Sequence, residues 1–94
     1  MKATRMIAEK EVWTDGTILV IVVWRLPGMT ADRPLGFKYR LYCGRAGRCL
    51  VRFDDEAGKG DHVHYGRRQR TYRFISLERL IDDFEDDVRR LTDG

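Results

Sequence analysis

The chain is 94 residues long, 43% hydrophobic and 35% charged, with a formal net charge of +3 at pH 7. That length holds one domain over residues 1–94 with a single core, above the size at which metals or disulfides become necessary for folding. The longest apolar run, Ile18 to Trp24, is seven residues, against the roughly 20 that a membrane-spanning helix requires. The N-terminal MKATRMIAEK lacks a signal-peptide h-region, so a soluble cytoplasmic protein without membrane contact is expected.

Thr4 to Trp13 reads as a first strand, and Asp15-Gly16 supplies a tight turn after it, since Asp-Gly favours positive φ in hairpins. Thr17 to Leu26 carries the strongest strand pattern, a β-branched run from Ile18 to Val23. Both faces of that segment are apolar, which predicts a central strand covered on each side. Pro27-Gly28 ends it, and Met29 to Gly36, which contains Pro34 and no periodicity, is expected to be a loop.

Phe37 to Cys43 alternates, with Phe37, Tyr39, Leu41 and Cys43 on one face and Lys38, Arg40 and Tyr42 on the other. Arg48 to Phe53 repeats the pattern. A two-residue loop between them would place Arg40 opposite Val51 and mix the faces. A three-residue loop over Arg45, Ala46 and Gly47, with Gly47 left-handed, would pair Cys43 with Cys49 and Arg40 with Arg52. The second register is expected, because it leaves one apolar face and aligns Lys38, Arg40, Arg48 and Arg52 on the other. Cys43 and Cys49 have no zinc-type spacing and read as reduced thiols.

The segment from Phe53 to Arg68, FDDEAGKGDHVHYGRR, concentrates acids, Lys59, both histidines, Arg67 and Arg68 with almost nothing apolar, and reads as a functional surface loop. Thr71 to Ile75 follows as a short strand. Ser76 is a good N-cap for a helix from Leu77 to Leu91, whose Leu77, Leu80, Ile81, Phe84, Val88 and Leu91 form one apolar stripe. Asp82, Asp83, Glu85, Asp86 and Asp87 make its other face acidic, which reads as a solvated surface that steers nucleic acid toward the sheet. The expected fold class is α+β: a twisted antiparallel β-meander of four to five strands packed by a C-terminal amphipathic helix.

Charge is polarised along the chain. Residues 33–75 carry eleven basic side chains against four acidic, and residues 76–94 three against seven. Fourteen arginines against four lysines favour bidentate contacts to phosphate or carboxylate. Lys38, Arg40, Arg48, Arg52, Arg67 and Arg68 are the candidate nucleic-acid-binding residues. Tyr42, Tyr65 and Tyr72 can stack on bases if they project from the basic face, whereas Trp13 and Trp24 read as core or sheet packing.

Within the polar segment, His62 and His64 point the same way if extended. One reading is metal-free phosphodiester chemistry, with one imidazole removing a ribose 2′-OH proton and the other, or Lys59, protonating the leaving oxygen. Asp61 then orients His62 through Nδ1, or else holds the turn as an Asx residue. A second reading makes both histidines solvated structural residues of a non-enzymatic module whose basic face binds a partner or nucleic acid. A third gives the HxH, with Asp54 or Asp61, to a metal. The flexible, arginine-rich surroundings speak against the third, so neither a metal nor a cofactor is expected.

The order WRLP, KYRL, then FDDEAGKGDHVH and YRF before an acidic helix resembles the TumE family of toxin–antitoxin modules. The resemblance runs from Met1 to about Val88 and is most specific from Gly58 to His64. Where that family is expected to carry tyrosine-aspartate-asparagine, this chain has Phe53-Asp54-Asp55. The resemblance implies a small toxin encoded beside an antitoxin with a helix-turn-helix DNA-binding domain, and it marks Lys59, Gly60, Asp61, His62 and His64 as motif positions. It implies no particular reaction. The residue types supply the expectation of a candidate metal-independent ribonuclease with His62, His64, Lys59 and Asp61 as catalytic residues.

Overall fold

Asp15 builds the first turn with its own side chain: Oδ1 accepts from Thr17 N at 2.9 Å, while Trp13 N donates to Thr17 O at 2.8 Å. Gly16 takes the positive φ of 89° that this tight reversal requires. The turn joins β1 (Thr4–Val12) to β2 (Ile18–Arg25) in a computed structural model that describes residues 3–29, 33, 36–56 and 58–93. Of the loop expected from Met29 to Gly36, residues 30–32 and 34–35, Pro34 among them, lie outside the described residues. Next come β3 (Phe37–Arg45), β4 (Arg48–Glu56), β5 (Gly60–Tyr65), β6 (Arg68–Thr71) and α1 (Leu77–Thr92). The strands form one antiparallel sheet in chain order, an α+β meander.

Six strands are described, not four to five. The additional strand is β5, the histidine segment read from sequence as a loop. Its apolar content is too low to mark it, but Arg52, Phe53, Asp54, Asp55 and Glu56 of β4 supply the backbone edge against which it pairs. The last strand is also displaced. β6 ends at Thr71, and the expected strand Thr71 to Ile75 is irregular beyond one further bond, Tyr72 N to Asp61 O at 3.0 Å.

The β3–β4 register corrects the three-residue loop. Ala46 (φ 53°) and Gly47 (φ 74°) form a two-residue turn of the left-handed kind, so Arg45 pairs with Arg48. Arg45 is held as a strand residue because its Nε donates to Thr17 Oγ1 at 2.9 Å and its Nη2 lies 3.1 Å from Asp15. A bulge then shifts the pairing: Gly44 faces Cys49, while Cys43 faces Val51. The bulge restores one apolar face by a different route. Cys43 therefore does not oppose Cys49, and Arg40 opposes Asp54 instead of Arg52.

The face under the helix carries the core. Val23, Leu41, Cys43, Val51, Phe53 and Val63 from the sheet meet Leu80, Phe84 and Val88 of α1, all buried. Ser76 caps α1 by accepting from Arg79 N at 3.1 Å. Two residues of its acidic face are not simply solvated: Asp83 accepts from Tyr72 Oη at 2.6 Å and Asp87 from Tyr65 Oη at 2.5 Å, which staples the helix to the sheet. The opposite face of the sheet carries no second layer among the described residues. Ile18, Val20, Val22 and Trp24 on it are only half-buried and lie outside the core cluster, so β2 is not covered on both sides.

Candidate functional site

Strand alternation decides what β5 presents. Asp61, Val63 and Tyr65 turn toward the helix, and His62 and His64 turn to the open face. There the antiparallel register aligns two neighbouring rungs: Arg40, Asp54 and His62 across one, Tyr42, Arg52 and His64 across the next. Lys38 lies on the rung beyond Arg40, opposite Trp24.

Arg52 joins the rungs. Its Nε lies 3.0 Å from Asp54 Oδ2, a charge contact in which the N–H is not aimed at the carboxylate, and its Nη2 lies 3.1 Å from His64 Nε2. Asp54 Oδ1 is also near His64 Nε2, but at 3.6 Å. The guanidinium has only donors, so the shorter contact makes Nε2 the acceptor and places the imidazole proton on Nδ1. Partial burial, and then the Arg52 charge, hold the His64 pKa below its ordinary value, which agrees with a neutral ring. His62 is built differently. Its Nδ1 lies 3.2 Å from Gly60 O, which orients Nδ1–H inward and leaves Nε2 as the outer nitrogen.

Lys59 sits at the β4–β5 turn, where its Nζ is 3.5 Å from Glu56, and among the described residues no hydrogen bond joins it to either imidazole. The expected Asp61–His62 link is absent. Asp61 Oδ2 accepts from Tyr39 Oη at 2.5 Å on the helix side, because adjacent strand residues face opposite ways. The same alternation separates Asp61 from the HxH as a metal ligand, and among the described residues no three His, Cys, Asp or Glu side chains are grouped for a metal.

The expected row of cations divides. Lys38, Arg40 and Arg52 share the open face with Asp54 among them. Arg48, displaced by the bulge, pairs with Arg45 on the other face. Arg48 and Arg67 border one shallow depression at the hairpin end, whereas Arg68 pairs with Tyr65 on the helix side. Tyr65 and Tyr72 are likewise bonded to α1, so Tyr42 is the tyrosine that shares the histidine face. Its side chain lies over Gly44, where an added Cβ would meet it and would approach Arg48 O at 2.9 Å. Glycine lets the ring lie flat. Asp54 and Asp55 read from the sequence as turn or arginine partners, and both face an arginine, Asp54 through Arg52 and Asp55 through Arg33. That Asp54 also links the two rungs follows from the i, i+2 spacings of Arg52/Asp54 and His62/His64 once both segments are read as strands.

Asp55 is buried behind this surface. Its Oδ1 accepts from Tyr39 N at 2.9 Å, and Arg33 Nε is 3.5 Å from Oδ2. Burial raises its pKa despite both contacts. A raised folded-state value means the carboxyl favours folding most below the unfolded pKa and loses that contribution as pH rises through the folded one. Asp55→Asn keeps an acceptor for Tyr39 N–H, and it removes the buried charge together with its Arg33 attraction. Its stability at pH 7 is expected within about 1 kcal/mol of the parent by urea unfolding, whereas Asp55→Leu, which orphans the N–H, costs about 1–3 kcal/mol. Equal losses for the two substitutions would contradict this account.

Comparison with protein-family profiles matches the family described as Toxin TumE over residues 4–92, and the chain belongs to that family. Comparison with curated proteins and with solved structures returns no match.

Proposed function

We propose that this TumE-family toxin cleaves RNA on the open face of its sheet, by metal-independent acid–base chemistry with His64 as base and His62 as acid. The observation that carries the reading is the pair of adjacent rungs bringing two imidazoles, two guanidiniums and one carboxylate to a single solvent-facing surface. Residues i and i+2 on a strand are about 6.6 Å apart, a spacing that seats one phosphodiester between the two rings.

Arg52 leaves His64 to engage a phosphate oxygen, which frees the Nε2 lone pair. That nitrogen takes the proton of the ribose 2′-OH, O2′ attacks phosphorus, and the P–O5′ bond breaks. The His62 imidazolium delivers a proton from Nε2 to O5′, leaving a 2′,3′-cyclic phosphate and a 5′-hydroxyl. Arg40 and Arg52 stabilise charge on the phosphoryl oxygens, and Asp54 holds Arg52 between turnovers. Lys38 and Lys59 extend phosphate contact along the strand. Asp61 acts through Tyr39 to fix β5, while Tyr42 and Trp24 offer ring faces to bases.

The test is digestion of RNA by the purified protein in chelator, with product ends identified and rates followed against pH. Because His64 is shifted downward, it is neutral at pH 7, and the rate is expected to fall tenfold per pH unit once acidification passes below its pKa. The stability it contributes is full above its unfolded value, about 6.5, and is lost as pH falls through the lower folded value. Circular dichroism along the same series separates the two effects. A rate indifferent to acid while the fold persists, or loss of cleavage in chelator alone, defeats the mechanism.

A further inference from the structure

On the helix side, α1 lies over β4, so part of the core face near β1 is left without a helix. There a groove of about 360 Å³ is floored by Trp13, Leu19 and Ile21 of the first hairpin and walled by Phe84 and Val88 of α1. Glu9 and Glu11 border it from β1, where they pair with Ile21 and Leu19 and so share their face; Glu85 borders it from α1. Among the described residues none of these three carboxylates has an ion-pair or hydrogen-bond partner. Among the described residues that line the groove, the one cation, Arg89, is engaged by Asp86 at 2.5 Å. Lys10, between the glutamates in sequence, pairs with Val20 on the open face.

We infer that this groove receives an amphipathic helix of the cognate antitoxin, apolar on one side and flanked by Lys or Arg. The inference rests on the toxin reading, which supplies the partner. Strands are about 4.8 Å apart, so β2 lies about 9.6 Å from β4, which matches the 8–10 Å between the axes of packed helices. A helix beside α1 thus sits over β2, covers Trp13, Leu19 and Ile21, and brings its basic flanks to Glu9, Glu11 and Glu85. Acidic side chains here and arginines on the open face give the molecule two docking surfaces of opposite sign.

Calorimetric titration of the full chain with the purified antitoxin, at low and moderate salt, tests the assignment. Glu9→Lys/Glu11→Lys changes two exposed positions and is expected to weaken binding at least about tenfold, most at low salt, with RNA cleavage unchanged. Arg40→Gln/Arg52→Gln is expected to keep antitoxin affinity within about threefold. Equal binding by the groove variant overturns the assignment, as does a loss confined to the arginine variant, which would place the antitoxin on the open face. Self-association of the wild type relieved by Glu9→Lys/Glu11→Lys would give the groove to a second copy and overturn it too. An antitoxin that fails to bind the wild type removes the partner reading itself, and growth arrest by the toxin alone then tells whether toxicity survives.

Discussion

Replacement of both His62 and His64 by alanine is expected to abolish RNA cleavage and growth arrest while leaving the chain folded. Each ring is half-buried on the open face and belongs to no part of the core cluster. His64→Ala removes the interaction with Arg52, and His62→Ala the one with Gly60 O. Such exchanges cost about 0.5–1.5 kcal/mol apiece, tolerable for a domain of ordinary stability. Catalysis is far more sensitive, because a positioned acid or base typically contributes about 10²–10⁴-fold.

The two rings act on one proton-transfer sequence, so their effects are not expected to add. Either single variant should lose most of what the double variant loses, at least about 100-fold in initial rate. His64→Ala should also erase the acidic limb of the pH profile, whereas His62→Ala should spare it. Growth after induction, total RNA on a gel and a thermal melt distinguish loss of chemistry from loss of fold. Full toxicity in the double variant would eliminate the enzymatic reading and leave the cationic face as a binding surface.

Much of this surface is legible in the residues, though their arrangement is not. The first hairpin, the β3 alternation, the Ser76 cap and the α1 stripe each follow from local rules that tertiary contacts do not override. The histidine strand does not follow, because its pairing with β4 is non-local and its composition is that of a loop. Reading it as a loop hides both the sixth strand and the opposed orientations of Asp61 and His62, since a period of two has meaning only once a segment is extended. The bulge between Cys43 and Gly44 is equally hidden. It depends on Arg45 reaching Asp15 and Thr17 in a different hairpin, and it moves Arg48 out of the cationic row and puts Asp54 opposite Arg40. Two acids of α1 read as solvated because nothing local tells Asp83 and Asp87 from their neighbours; the tyrosines that bind them come from β5 and from just beyond β6.

Phe53→Ala is expected to be the most destabilising of the substitutions considered, by about 3–5 kcal/mol. Phe53 is 2% exposed and sits mid-strand, flanked by Leu41 and Val63 across the ladder. Its ring meets Tyr72 edge-on at 4.9 Å and Phe84 of α1 at 6.1 Å, so it is the point where the sheet, the segment after β6 and the helix converge. Neighbours drawn from three elements cannot all collapse into the space left behind, and the cavity cost adds to the lost apolar transfer. A domain of this size loses about 4–8 °C of melting temperature per kcal/mol, so a fall of at least about 12 °C is expected. Phe37→Ala, half-buried beside Phe74 with Arg25 over its ring, should cost clearly less. Phe53 shares β4 with Arg52 and Asp54, which face the other way, so the same substitution should loosen the cationic rungs and lower RNA cleavage below the unfolding temperature. Urea unfolding decides the energetic part: a loss under about 1 kcal/mol would mean that α1 is not anchored through this ring.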